Sequence, residues 1–131
     1  MNEASGDLEK MSAPAVHVDA ERLQSVLKTV GFDSFWRLLT ECRRRLETMT
    51  ADLARADVAD HRREALANIH KFRGSCSSLG LLALCEALRR IESDIVSAAD
   101  ADFTARCFAE APILNRLIET TWAHLAQDAQ R

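Results

Sequence analysis

Apolar residues recur along this chain at spacings of three and four, the mark of helices that each bury one stripe. No stretch alternates with the period of two that a half-buried strand requires. The first periodic segment carries Leu23, Val26, Leu27 and Val30 on one face, with Asp19 placed to cap its start and Gly31 to end it in a left-handed turn. It predicts a short, lid-like helix. A second helix is predicted from Asp33 or Ser34 to about Ala56, with Trp36, Leu39, Cys42, Leu46, Met49 and Leu53 on its apolar stripe. After the polar stretch Ala54 to Asp60 the period resumes with Ala65, Leu66, Ile69, Phe72, Cys76 and Leu79, and Gly80 supplies a stop. A fourth helix carries Leu81, Leu84, Cys85, Leu88, Ile91 and Ile95 and closes near Ala98 to Asp102. The last carries Phe103, Cys107, Ala111, Leu114, Leu117, Ile118 and Leu125, where Pro112 lacks a backbone donor and should kink or divide it.

The predicted fold class is therefore all-α. Four long amphipathic helices joined by short connections pack most simply as an antiparallel up-and-down four-helix bundle, with the short N-terminal helix covering one end. Residues 1–17 hold Gly, Ser, Pro and scattered charges without periodicity, and are expected to form a flexible tail before a bundle domain over residues 18–131.

Composition agrees with one folded domain: 131 residues, 47% hydrophobic and 28% charged. The formal net charge of -3 argues against a general nucleic-acid binder, which carries a basic excess to neutralise phosphates. Cys42, Cys76, Cys85 and Cys107 form no C-x-x-C pair and fall mostly on core positions, as reduced thiols of a cytosolic protein do. The first sixteen residues lack the apolar stretch of a signal peptide, and the longest apolar run, Leu79 to Cys85, is too short to span a bilayer. A cytoplasmic location is expected, and the short loops and ample core suggest a monomer.

With Ile69 at the centre of the third helix's buried stripe, a rotation of about 100° per residue sets His70 at the edge of that stripe, beside solvent. Arg63, Ala67, Gly74 and Ser77 fall on the same outward side, flanked by Lys71 and Ser78. An accessible imidazole is a competent nucleophile near neutral pH, and its attack on an acyl phosphate gives a phosphoramidate. Gly74 is informative because a mid-helix Gly costs about 1 kcal/mol relative to Ala. One turn from His70, the missing side chain leaves room for another protein's active site to approach the ring. Lys71 and Arg73 add positive charge where a phosphoryl group would sit, although Arg73 starts nearer the core edge and must snorkel to reach it.

The run Ile69-His70-Lys71-Phe72-Arg73-Gly74-Ser75-Cys76-Ser77-Ser78-Leu79-Gly80 resembles the signature of histidine phosphotransfer (HPt) domains. That signature is His, any residue, an apolar residue, Lys or Arg, Gly, then small residues before a Leu-Gly stop. Leu88 and Glu92 also resemble the family's next helix, and helix number and order match over roughly residues 19 to 128. The resemblance implies that His70 accepts a phosphoryl group from the aspartyl phosphate of a receiver domain and passes it to another receiver in two-component signalling. It implies that Lys71, Arg73, Gly74 and Ser77 position or support the phosphate, and that Arg63, Ala67 and Ser78 lie where the partner docks. Receiver domains of response regulators and of a hybrid sensor kinase would be the partners. They would supply the catalytic Asp residues and Mg²⁺, so no cofactor is expected on this chain. Phe72 for Leu or Ile, Arg73 for Lys, and Cys76 for Ala or Ser are departures from the pattern. Arg73 alters geometry most, since a planar fork replaces a point charge.

Other chemistries fit less well. No Glu has a His three residues later, as a di-metal carboxylate bundle would need, and no phosphate-binding Gly-rich loop of the G-x-x-x-x-G-K-[ST] type occurs, so ATP would be used elsewhere. His17, His61 and His124 are isolated, and no metal site is expected. Arg43, Arg44 and Arg45 read as a solvated helix face more readily than as a docking patch, and Arg89 or Arg90 could approach His70 from the fourth helix. The competing function is a bundle that binds and regulates a signalling protein without phosphoryl transfer.

Overall fold

The structure, a computed structural model, describes residues 17–129, and the tail expected over residues 1–17 lies outside the described residues apart from His17. Five α-helices and no strand occur among the described residues: α1 (Ala20–Val30), α2 (Phe32–Leu53), α3 (Arg62–Ser78), α4 (Leu82–Ile95) and α5 (Asp100–Ala129). One turn of 3₁₀ helix, Val58–His61, leads into α3.

Helix α2 packs against α3 and α5, and α4 packs against the same two, while no comparable contact joins α3 to α5. These neighbours enclose one core, whose fully buried side chains include Leu39 and Leu46 of α2, Ile69 of α3, Leu84, Leu88 and Ile91 of α4, and Phe103, Leu114 and Ile118 of α5. Burying such a side chain contributes roughly 1.5–3 kcal/mol, against which the ordering of the chain is offset.

Asp19 caps α1 by accepting from the Arg22 backbone N–H at 3.0 Å, and Gly31 closes the helix at φ 86°. The segment before α1 is stitched to the turn between α3 and α4. Asp19 N donates to the Gly80 carbonyl at 2.8 Å and Ala83 N donates to the His17 carbonyl at 2.9 Å. Gly80 has φ 76°, and a Cβ there would stand 3.0 Å from the Asp19 carbonyl oxygen. Conformation and crowding both require glycine at this stop.

Three details differ from the sequence pattern. Helix α2 starts at Phe32 and ends at Leu53, and its stripe begins at Phe35 rather than Trp36. Phe35, Leu39, Cys42, Leu46, Met49 and Leu53 keep an alternating step of four and three, which leaves Trp36 about 100° away at the core edge, edge-on to the Phe35 ring at 5.9 Å. Val58, within the stretch expected to be polar loop, is buried at 3% exposure by the 3₁₀ turn. Helix α5 runs through Pro112 undivided. Pro112 faces solvent while Ala111 and Leu114 are buried beside it, so core contacts on both sides carry the helix past the missing backbone donor.

Candidate functional site

Helix α3 buries only Ile69, Phe72 and Cys76 among its residues. Ile69 in the core sets the rotation of the next residue. His70 emerges at the boundary of α3 and α4 with 66% of its side chain exposed. Its Nδ1 stands 3.3 Å from Oε2 of Glu92, and the other oxygen of the same carboxylate accepts a hydrogen bond from Arg73 Nη1 at 2.9 Å. Glu92 is one residue beyond the buried Ile91 of α4, and its carboxylate is only 21% exposed. One carboxylate therefore faces both the imidazole and the guanidinium.

This arrangement has a chemical consequence. A negative charge beside Nδ1 favours the neutral tautomer that carries its proton there, which leaves the lone pair on Nε2. The ring is thus held with its nucleophilic nitrogen away from α4. Arg73 offsets the carboxylate's charge and holds it in place. The sequence places Arg73 near the core edge with a need to reach outward, and the structure shows where it goes: across to α4.

Gly74 opens the other side of the site. A Cβ at this position would meet nothing within 4 Å, so neither helix packing nor backbone conformation requires glycine here. It borders a shallow groove between α2 and α3 whose walls include Leu38 and Arg45 of α2 and Lys71, Phe72 and Ser78 of α3. Leu38 keeps 45% exposure there, an apolar contact point that lies off the α2 stripe and that periodicity does not single out. The Lys71 ammonium sits 5.8 Å from the centre of the Phe72 ring. Ser77, Arg63 and Ala67 are exposed on the same outward side of α3 as His70.

The arginine runs on α2 and α4 are paired with carboxylates away from His70. Arg44 and Arg45 both bind Glu41, whose carboxyl they hold down at about 2, and Arg43 pairs with Glu47. Arg89 pairs with Glu86 on its own helix, and Arg90 reaches Glu110 of α5, so neither is placed against His70. Cys76 and Cys107 are held in the thiol form, whereas the hydrogen bond with Cys76 lowers Cys42. A hydrogen bond with the Cys42 thiol, together with burial, pushes Cys76 up, and burial raises Cys107 to about 11. No group of His, Cys, Asp and Glu among the described residues is arranged to hold a metal ion, and no described helix is long and apolar enough to cross a membrane.

Glu92 is the site residue that the sequence alone does not place. Its signal lies in the run Leu88 to Glu92, but its role depends on how α4 is rotated against α3. A family model described as Hpt domain matches residues 33–128. Neither the curated proteins nor the solved structures searched give a match.

Proposed function

The chain belongs to the Hpt domain family, whose members act in phosphorelay signalling, and we propose that His70 is its phospho-accepting residue, taking the phosphoryl group from a receiver domain's aspartyl phosphate and relaying it to a second receiver. The observation that carries this reading is the exposed His70 ring with its Nδ1 3.3 Å from the Glu92 carboxylate, which leaves Nε2 as the nitrogen free to react. The Nε2 lone pair attacks phosphorus, the bond from phosphorus to the aspartyl oxygen breaks, and the carboxylate leaves with that electron pair. No proton need move. The ring retains its Nδ1 proton and becomes a phosphorylated imidazolium, whose positive charge the Glu92 carboxylate stabilises, as a buried carboxylate does for the base of a serine-hydrolase triad. Transfer to the next receiver is the same step reversed.

Lys71 supplies a mobile cation for the phosphoryl oxygens, Arg73 works chiefly through Glu92, and Gly74 gives the receiver room to approach. Ser77, Arg63, Ala67 and Ser78 form the surrounding contact surface. The catalytic Asp residues and Mg²⁺ come from the receiver, so this chain needs no cofactor. An antiparallel up-and-down bundle suits this chemistry, because rigid helices present the ring while the partner moves. Four unpaired thiols suit a reducing cytoplasm.

The test is transfer of labelled phosphate from phosphorylated receiver domains to the chain and to His70→Gln. Label that reaches the native chain and not the variant supports the relay. Receivers that bind both proteins and transfer to neither leave a purely regulatory binding module.

A further inference from the structure

Helix α5 exposes two large apolar side chains on its outer side, Phe108 at 67% and Ile113 at 58%. Between and around them, Ala101, Ala105, Ala109 and Pro112 also face solvent. With about 100° per residue Ala105, Ala109, Pro112 and Ile113 share the side of α5 opposite its buried stripe, and Ala101 and Phe108 lie at one rim of it. The charges on this stretch divide into two kinds. Asp100 pairs with Arg62, Arg106 with Asp94 and Glu110 with Arg90, all at the flanks. Asp102 and Arg116, on the apolar side itself, hold no ion pair among the described residues.

The spacing of these two charges is the second observation. Asp102 lies seven residues before Ala109 and Arg116 seven residues after it. A helix laid antiparallel on a copy of itself about a two-fold axis at Ala109 therefore meets Arg116 with Asp102, and Asp102 with Arg116, forming two ion pairs from one. The same axis sets Ile113 against Ala105 of the second copy, and the small Ala105 and Ala109 let the helices approach closely. Such self-complementarity is what a two-fold interface demands.

We infer that the outer face of α5 binds a second copy of this chain, forming an antiparallel two-fold dimer with Ala109 at its centre, Ile113 packed against Ala105, and Asp102 and Arg116 paired across it. It stands against the monomer that the short loops and ample core suggest. Since α3 and α5 are not neighbours in the bundle, pairing through α5 leaves both His70 sites uncovered. One helix pair is a small interface, and association is expected in the micromolar range.

Sedimentation velocity of the full chain over a wide concentration range tests this. The native chain should pass from monomer to dimer. Ile113→Glu should remain monomeric. Asp102→Arg and Arg116→Asp alone should each weaken the dimer about tenfold or more, and the two together should restore it to near the native value. Helical circular dichroism of each variant controls for folding. A native chain that stays monomeric throughout, or a dimer indifferent to Ile113→Glu, overturns the inference, as does a double variant no tighter than the single ones. None of these outcomes depends on phosphoryl transfer.

Discussion

Glu92 of α4 sits 3.3 Å from Nδ1 of His70 on α3, and this pairing across two helices orients a ring that is otherwise two-thirds exposed. The same carboxylate binds Arg73, so replacing it should disturb the imidazole and the guanidinium together. Glu92→Ala should slow phosphoryl transfer by about tenfold, the equivalent of roughly 1.5 kcal/mol for a lost contact to a charged group. Glu92→Gln, which keeps an oxygen acceptor, should fall between Ala and the native chain. Single-turnover transfer rates measure both. An Ala variant as fast as the native protein would remove Glu92 from the mechanism.

Gly74 offers a separation of stability from function. Because a Cβ there meets nothing, Gly74→Ala should stabilise the fold by up to about 1 kcal/mol in urea denaturation. Gly74→Leu should also fold, yet it should slow transfer severalfold or more by standing in the receiver's path. If both folded variants transfer at the native rate, the glycine has no docking role.

Gly80 should behave in the opposite way. Its φ of 76°, with the Asp19 carbonyl oxygen 3.0 Å from the point where a Cβ would stand, makes Gly80→Ala destabilising by about 1–2 kcal/mol. The loss should be accompanied by faster amide exchange at Asp19 and Ala83, whose N–H groups tie the start of the chain to this turn.

The helices, their order and the exposure of His70 are legible in the sequence because each depends on local periodicity. The stripe from Ile69 to Cys76 sets where the next residue points, and the Gly80 stop follows from the chain itself. What depends on tertiary rotation is not legible. Glu92 lies twenty-two residues from His70, and only the packing of α4 on α3 brings its carboxylate to Nδ1. Trp36 and Phe35 are adjacent apolar residues, and which of them enters the core is decided by the phase of the whole stripe. Pro112 predicts an interruption of α5 on local grounds, and buried contacts on both sides of it prevail.

The buried thiols give a pH dependence. Burial raises Cys107 from the usual 9.0 to about 11, so its protonated form is favoured in the fold. The unfolded chain then loses this proton first as pH rises, and stability that is complete below pH 9 should decline between about 9 and 11. A thiol reagent at a pH of about 8 should modify half-buried Cys85 first and reach Cys76 and Cys107 only on unfolding. Urea midpoints across this range, with mass spectrometry of the labelled protein, measure both effects. Rapid modification of Cys107 in the native state would contradict the burial that raises it.

The identity of the phosphorylated nitrogen tests the central claim most directly. Nitrogen-15 and phosphorus-31 NMR of the receiver-phosphorylated, isotope-labelled protein should show a single phosphoramidate bond at Nε2 of His70, with a proton retained on Nδ1. Phosphate on Nδ1, on another histidine, or on no histidine at all would contradict a site in which Glu92 holds one nitrogen and frees the other.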